Sequence, residues 1–311
     1  GWVVNFADAR ARGGGEKGLI YRYGRAVDSV EMQQYAAYLY ERDGGEPYYF
    51  KRRDMYETLE NLSSHSALTN TVPGLSQAPS TWYPGAQFCY MRSPTGLFFA
   101  AKGGYNRESH NHNDVGSFIL YVDQVPMMVD VGVGTYTRKT FSSERYTIWT
   151  MQSNYHNLPV INGAAQVNGR DYRSRDVRFD PETRTFSLDI AGAYPEQAGV
   201  NRWRRSYRLE PDGGLWLEDA FQIDDPQTPN RLNFMTWAQP DISVPGVVVL
   251  QKDGVSVSLK YDPEQFRPEA EEIPIDDSKL FRVWGEQIYR LTLTAKTTPS
   301  SGTYSIRIRK N

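Results

Sequence analysis

The chain has 311 residues, a formal net charge of −2 and a single cysteine, Cys89. The near-neutral balance excludes the broad basic field of a nucleic-acid-binding protein, and the lone cysteine excludes an intrachain disulfide and any CxxC zinc or redox motif. An aromatic load of 21 Tyr, 13 Phe and 7 Trp suits sheets and sugar-stacking surfaces better than helical bundles, with most of these rings expected in strands and core.

In chain order, Trp2-Val3-Val4-Asn5-Phe6-Ala7 reads as the interior of a longer protein, so any signal peptide would lie upstream. A helix is expected over residues 28–42, where Asp28 and Glu31 form a capping box and Met32, Tyr35, Ala36 and Leu39 share a face. A second is expected over 52–62, with Met55, Leu59 and Leu62 on its apolar stripe. Two such helices cannot bury their own stripes, so residues 1–75 are expected to be the end of a larger helical domain plus a linker. From 63 to 86 the composition turns to Ser, Pro, Gly, Thr and Asn, as a connection would.

The texture then changes to short strands at 87–92, 96–102, 117–123 and 126–130. Two hairpins are legible, one turning at Pro211-Asp212-Gly213-Gly214 and one at Lys252-Asp253-Gly254. With late strands at 288–296 and 304–309, a dozen or more strands with little helix predict a mainly β fold: a large antiparallel two-sheet sandwich over residues 76–311. No run of about eighteen apolar residues exists, so no membrane partner is expected, and neither is nucleic acid.

Two of the four histidines fall in Ser109-His110-Asn111-His112-Asn113-Asp114. His112, Asp130 and His156 could close around one divalent metal, because imidazole and carboxylate are the donors a cation of borderline softness prefers. They are 18 residues (112 to 130) and 26 residues (130 to 156) apart, a spacing of ligands gathered by a sheet rather than by one turn. Ordinary hydrogen-bonded polar residues would account for the same spacing. A cupin-like His-x-His pair is disfavoured, since no Glu follows His112 within the next few residues. A zinc hydrolase would need an open water position and a carboxylate base, for which Asp114 is the candidate, although Asp114 reads more as a residue that fixes the turn.

The segments Asn-His-Asn-Asp-Val-Gly-Ser-Phe (111–118), Val-Asp-Val-Gly-Val-Gly-Thr-Tyr (129–136) and Tyr-His-Asn-Leu-Pro-Val-Ile-Asn-Gly (155–163) closely resemble the heparinase II/III-like family of polysaccharide lyases. The match is most specific over residues 105–170, and Val4-Asn5-Phe6-Ala7-Asp8-Ala9 looks like the last part of the family's α/α toroid. The resemblance implies a structural zinc on His112, Asp130 and His156, with His110 as the catalytic or substrate-contacting histidine. It also implies a contributing tyrosine, for which Tyr146 is the nearest candidate and Tyr136 and Tyr155 are alternatives. The expected partner is an acidic, uronate-containing polysaccharide such as a heparin-like chain, another glycosaminoglycan or alginate. The expected setting is bacterial, periplasmic or secreted.

Elimination of the 4-linked sugar from a uronate needs three things: a group that neutralises the carboxylate, a base for the C5 proton and an acid for the leaving oxygen. By resemblance, the neutralising Asn or His and the principal Tyr belong to the toroid, so this chain alone is expected to be inactive or nearly so. Strand alternation places Arg202, Arg204 and Arg208 on one face and Trp203, Arg205 and Tyr207 on the other, which makes Arg202 and Arg204 candidate contacts for an acidic chain. That strip, and the run Arg170, Arg173, Arg175 and Arg178, also fit a solvated face paired with nearby acids. The reading from another class is a non-catalytic carbohydrate-binding or scaffolding sandwich with a structural zinc.

Overall fold

The computed structural model describes residues 1–13, 15–45 and 54–311. These form two compact units: Gly1–Val3 with Arg12–Ala78, and Val4–Ala11 with Pro79–Asn311.

The first unit consists of α1 (Lys17–Ala26), α2 (Val30–Arg42) and α3 (Met55–Thr69). Each starts at a side-chain cap: Glu16 accepts from Leu19 N, Ser29 from Met32 N and Asp54 from Glu57 N. The cap of α2 is therefore Ser29 rather than Asp28, whose backbone is left-handed with φ 53°. Helix α1 has no counterpart among the expected elements. It meets α2 at Gly24, where a Cβ would stand 2.8 Å from Met32 Cβ, so the close approach requires a residue without a side chain.

The first residues expected of the second helix, 52 and 53, lie outside the described residues. That helix continues to Thr69, through the start of the stretch expected as linker, and the Ser63 and Ser64 hydroxyls there donate back to Glu60 O at 2.8 and 3.0 Å. Its packed face carries Asn61, Ser64 and Leu68, whereas Met55, Leu59 and Leu62 stay exposed.

The second unit is built from strands. β1 (Ser80–Tyr83), β2 (Phe88–Arg92), β3 (Leu97–Lys102), β4 (Phe118–Val122) and β5 (Val125–Met128) form a five-stranded antiparallel meander. The chain continues through β6 (Pro159–Val160), β7 (Arg175–Asp180), β8 (Thr185–Asp189), β9 (Val200–Leu209), β10 (Leu215–Ile223), β11 (Arg231–Thr236), β12 (Pro240–Val244), β13 (Val247–Lys252), β14 (Val255–Lys260) and β15 (Phe266–Pro274). Helix α4 (Ser278–Trp284), β16 (Gln287–Ala295) and β17 (Ser301–Lys310) complete it. An eight-stranded sheet has the order β12-β13-β14-β17-β10-β9-β8-β7, and a four-stranded sheet has β15-β16-β11-β6.

All pairings are antiparallel, and both expected hairpins are present, as β9–β10 and β13–β14. Strand alternation sets the layers. In β9, Trp203, Arg205, Tyr207 and Leu209 are buried while Arg202 and Arg208 are exposed. Tyr207 lies 5.0 Å from Phe99 of β3 and 5.3 Å from Phe118 of β4, and Phe118 lies 6.3 Å from Phe234 of β11. Residues of all three sheets thus share one apolar core, the mainly β sandwich expected from the sequence. Val129 N donates to Met235 O at 2.9 Å and joins the end of the meander to β11.

Candidate metal centre and histidine loop

The histidine motif lies in the loop between β3 and β4, which is fixed at both ends. Gly116 turns the chain into β4 at φ 84°, and a Cβ there would come within 2.6 Å of Ile190. Gln166 accepts from Val115 N and from Asn106 Nδ2, each at 3.1 Å, and donates to Val115 O at 2.7 Å. Lys102 Nζ donates to Asp114 Oδ1 at 2.6 Å with both groups buried. Asp114 is therefore a locked ion-pair partner and not the free base that a hydrolase would need.

His112, Asp130 and His156 are fully buried, and one ligand atom from each lies within 4.8 Å of the others. Asp130 leaves β5 with Oδ1 accepting from Gly132 N at 2.8 Å, while Asn5 Nδ2 donates to its carbonyl at 2.9 Å. His156 is placed by its neighbour Asn157, a bracket between strands. The Asn157 amide donates to Phe118 O and Val129 O at 2.6 and 3.1 Å, and its Oδ1 accepts from Met235 N at 2.7 Å.

His112 Nδ1, Asp130 Oδ2 and both ring nitrogens of His156 are buried without a hydrogen-bond partner. Buried polar atoms without hydrogen bonds are costly, and here one from each residue lies close to the others, with His156 Nδ1 standing 3.2 Å from Asp130 Oδ2. Burial works against charge on Asp130 and His156, but their mutual attraction outweighs it. Asp130 is held below the ordinary carboxylate range and His156 above the ordinary imidazole range. The donor set of two imidazoles and a carboxylate fits a divalent cation.

Beside the cluster stands a carboxylate from far upstream. Asp8 Oδ1 receives His112 Nε2 at 3.1 Å and Arg145 Nη2 at 2.8 Å, and Oδ2 receives His110 Nδ1 at 3.0 Å and the Tyr136 hydroxyl at 2.9 Å. Burial would raise the Asp8 carboxyl, but donors from His112, Tyr136, Arg145 and His110 hold it well below its usual range. His110 itself has left-handed backbone, φ 60°, and a side chain 59% exposed. Arg145 also donates to Asn111 O, and the half-buried Tyr146 hydroxyl donates to Asn111 Oδ1 at 2.8 Å. Two imidazoles, one of them exposed, a tyrosine and an arginine thus surround one carboxylate beside the buried cluster.

A family model described as heparinase II/III-like, C-terminal, matches residues 77–307. The chain belongs to this family. No curated protein sequence matches it. Its fold is similar to a heparan sulfate lyase from Pedobacter heparinus, with TM-score 0.67 and 13% identity over 99% of this chain and 44% of that one. It is also similar to heparinase III (TM-score 0.66, 14% identity, 98% of this chain and 44% of that one) and to a Paenibacillus xanthan lyase (0.54, 10%, 95% and 31%). The chain therefore spans less than half the length of these solved relatives, and at such identities the likeness carries the fold alone.

In this heparinase II/III-like chain the tertiary structure gathers His110, His112, Asp130, His156 and Tyr146 around the β3–β4 loop. Of the alternative tyrosines, Tyr136 reaches Asp8, whereas Tyr155 packs against Trp149 and under the Arg290 guanidinium. Arg202 and Arg204 lie on the face of β9 opposite to Arg205, whose Nη1 donates to Asn157 O at 2.8 Å, so they point away from the cluster side. Arg204 donates there to Ser187 Oγ at 2.7 Å. Arg175 and Arg178 are exposed on β7, at the sheet edge. Asp8 and Arg145 were not among the expected site residues, because no local spacing connects positions 8 and 145 to the motif. Among the described residues no helix is long and apolar enough to cross a membrane.

Proposed function

We propose that this chain is the C-terminal part of a polysaccharide lyase that cleaves a uronate-containing acidic polysaccharide by β-elimination. The observation that carries the reading is His110, an exposed imidazole in a left-handed backbone, anchored through Nδ1 to a carboxylate beside the buried cluster. A residue so held presents its other nitrogen to a ligand at low entropic cost. In this reading His110 contacts or deprotonates the sugar at C5, and Tyr146 is the candidate second proton-transfer group. Burial raises the Tyr146 phenol, which keeps it protonated and able to donate.

His112, Asp130 and His156 would hold a zinc whose contribution is to neutralise Asp130 and tie three segments together. The burial of all three supports a structural rather than a catalytic metal. The groups that neutralise the uronate carboxylate belong, in this reading, to an N-terminal α/α toroid of which the helical segment within residues 1–75 is the last part. The exposed Met55, Leu59 and Leu62 support further helices packing there. An exported protein, periplasmic or secreted, goes with this substrate class.

The test compares this chain with one extended N-terminally through the helical domain, on heparin-like polymers, other glycosaminoglycans and alginate. Absorbance of the unsaturated uronate product is the readout. The extended chain is expected to turn over one of these classes and the present chain none. Turnover by the present chain overturns its inactivity, and binding without turnover by the extended chain favours a non-catalytic carbohydrate-binding sandwich.

A further inference from the structure

Asp8 precedes His110 by 102 residues and His112 by 104, yet it touches both rings, one with each carboxylate oxygen. Its side chain is 5% exposed. An ionised carboxylate has no hydrogen to give, so each imidazole must donate from the nitrogen that faces it. In His112 that nitrogen is Nε2, which leaves Nδ1 with its lone pair; Nδ1 is buried without a hydrogen-bond partner, in a residue whose ligand atom lies within 4.8 Å of those of Asp130 and His156. In His110 the donor is Nδ1, which leaves Nε2 with its lone pair on an exposed ring. Arg145 and the Tyr136 hydroxyl supply the two remaining donors and keep the carboxylate from turning.

We propose that Asp8 is a positioning residue that sets the orientation and tautomer of both histidines at once, turning His112 Nδ1 toward the metal position and His110 Nε2 outward as a proton acceptor. A single carboxylate then links the metal centre to the reacting surface. The outward use of His110 rests on the lyase reading; the two tautomers do not.

The test is long-range 1H–15N correlation NMR of this chain carrying 15N-labelled histidine, whose four imidazoles can be assigned by single substitutions. The companion measurement is zinc affinity by competition with a chromophoric chelator. The unsubstituted chain is expected to show Nδ1–H at His110 and Nε2–H at His112. Asp8→Ala is expected to release His110 into a mixture of tautomers and to weaken zinc binding about 10–100-fold, the usual cost of losing a carboxylate behind a metal-binding histidine. Asp8→Glu should restore part of both.

Nε2–H at His110 in the unsubstituted chain overturns the proposal without any variant, as does unchanged zinc affinity in a folded Asp8→Ala. If Asp8→Ala does not fold, the near-isosteric Asp8→Asn is measured in its place. It keeps one acceptor oxygen and gains an NH2 donor, so it should leave one of the two histidines in its original tautomer and turn the other to the opposite one. Neither readout depends on turnover, so a failure of the lyase reading would appear separately, as inactivity of the extended chain.

Discussion

Arg205 of β9 and Asp219 of β10 meet as a buried two-pronged pair, Nε to Oδ1 at 2.8 Å and Nη2 to Oδ2 at 2.7 Å. The free edge of the guanidinium extends this pair to the candidate site. Nη1 donates to the carbonyl of Asn157, the residue after His156 of the buried His112–Asp130–His156 group. The eight-stranded sheet thereby holds the segment that carries one member of that group.

Breaking that pair from one side should be costly. Asp219→Ala leaves a buried guanidinium without its counter-ion and is expected to destabilise the chain by about 3–5 kcal/mol in urea or guanidinium unfolding. Replacing both partners with apolar residues of similar volume should recover most of this, and a double variant as unstable as the single one would contradict the assignment.

Asn157 is expected to matter beyond its size. Its side chain satisfies two carbonyls and one amide from β4, the end of β5 and β11. Asn157→Leu should cost roughly 1–3 kcal/mol for each group left unpaired. It should also weaken zinc binding, because His156 loses its anchor, and denaturant unfolding together with chelator competition would show both effects.

Metal removal should separate the histidines. His112→Ala and His156→Ala should abolish stoichiometric zinc in metal analysis and the thermal stabilisation that zinc confers. That stabilisation is about 2.7 kcal/mol when free zinc is a hundredfold above Kd. His110→Ala should leave zinc content and melting temperature nearly unchanged, and equal metal loss in all three variants would make His110 a ligand.

Cys89 should behave as an inert core residue. Burial pushes its thiol from the ordinary 9.0 up to about 12, so at pH 8 almost no thiolate is present in the folded chain. Thiol reagents should therefore label it only at the rate of unfolding. The folded state keeps this proton longer than the unfolded chain does, so this group's contribution to stability is full below about pH 9 and is lost as pH rises toward 12. Fast labelling under native conditions would contradict the burial.

Local patterns made much of the molecule legible. The two hairpins follow from Asp-Gly turns between alternating strands, and the split of β9 into a buried Trp203–Arg205–Tyr207 face and an outer Arg202–Arg204–Arg208 face follows from the two-residue period. The group of His112, Asp130 and His156, which could hold a metal ion, was legible as a set of donor types together with a family motif. Elsewhere local rules misled. Asp28 resembled a cap, but Ser29 serves because Asp28 is in the left-handed region. Met55, Leu59 and Leu62 marked an apolar stripe, but α3 turns Asn61, Ser64 and Leu68 toward its neighbours.

By itself, the sequence determined the sandwich, its hairpins, the family and the chemical types that gather at the site, because strand period, turn residues and donor chemistry are local properties. The tertiary structure decided which partner each histidine has. Hydrogen bonds of about 3 Å join Asp8 to residues more than a hundred positions away, and no spacing along the chain encodes a contact closed by the packing of separate segments. A carboxylate at position 8 that bridges His110 and His112 is a consequence of the fold.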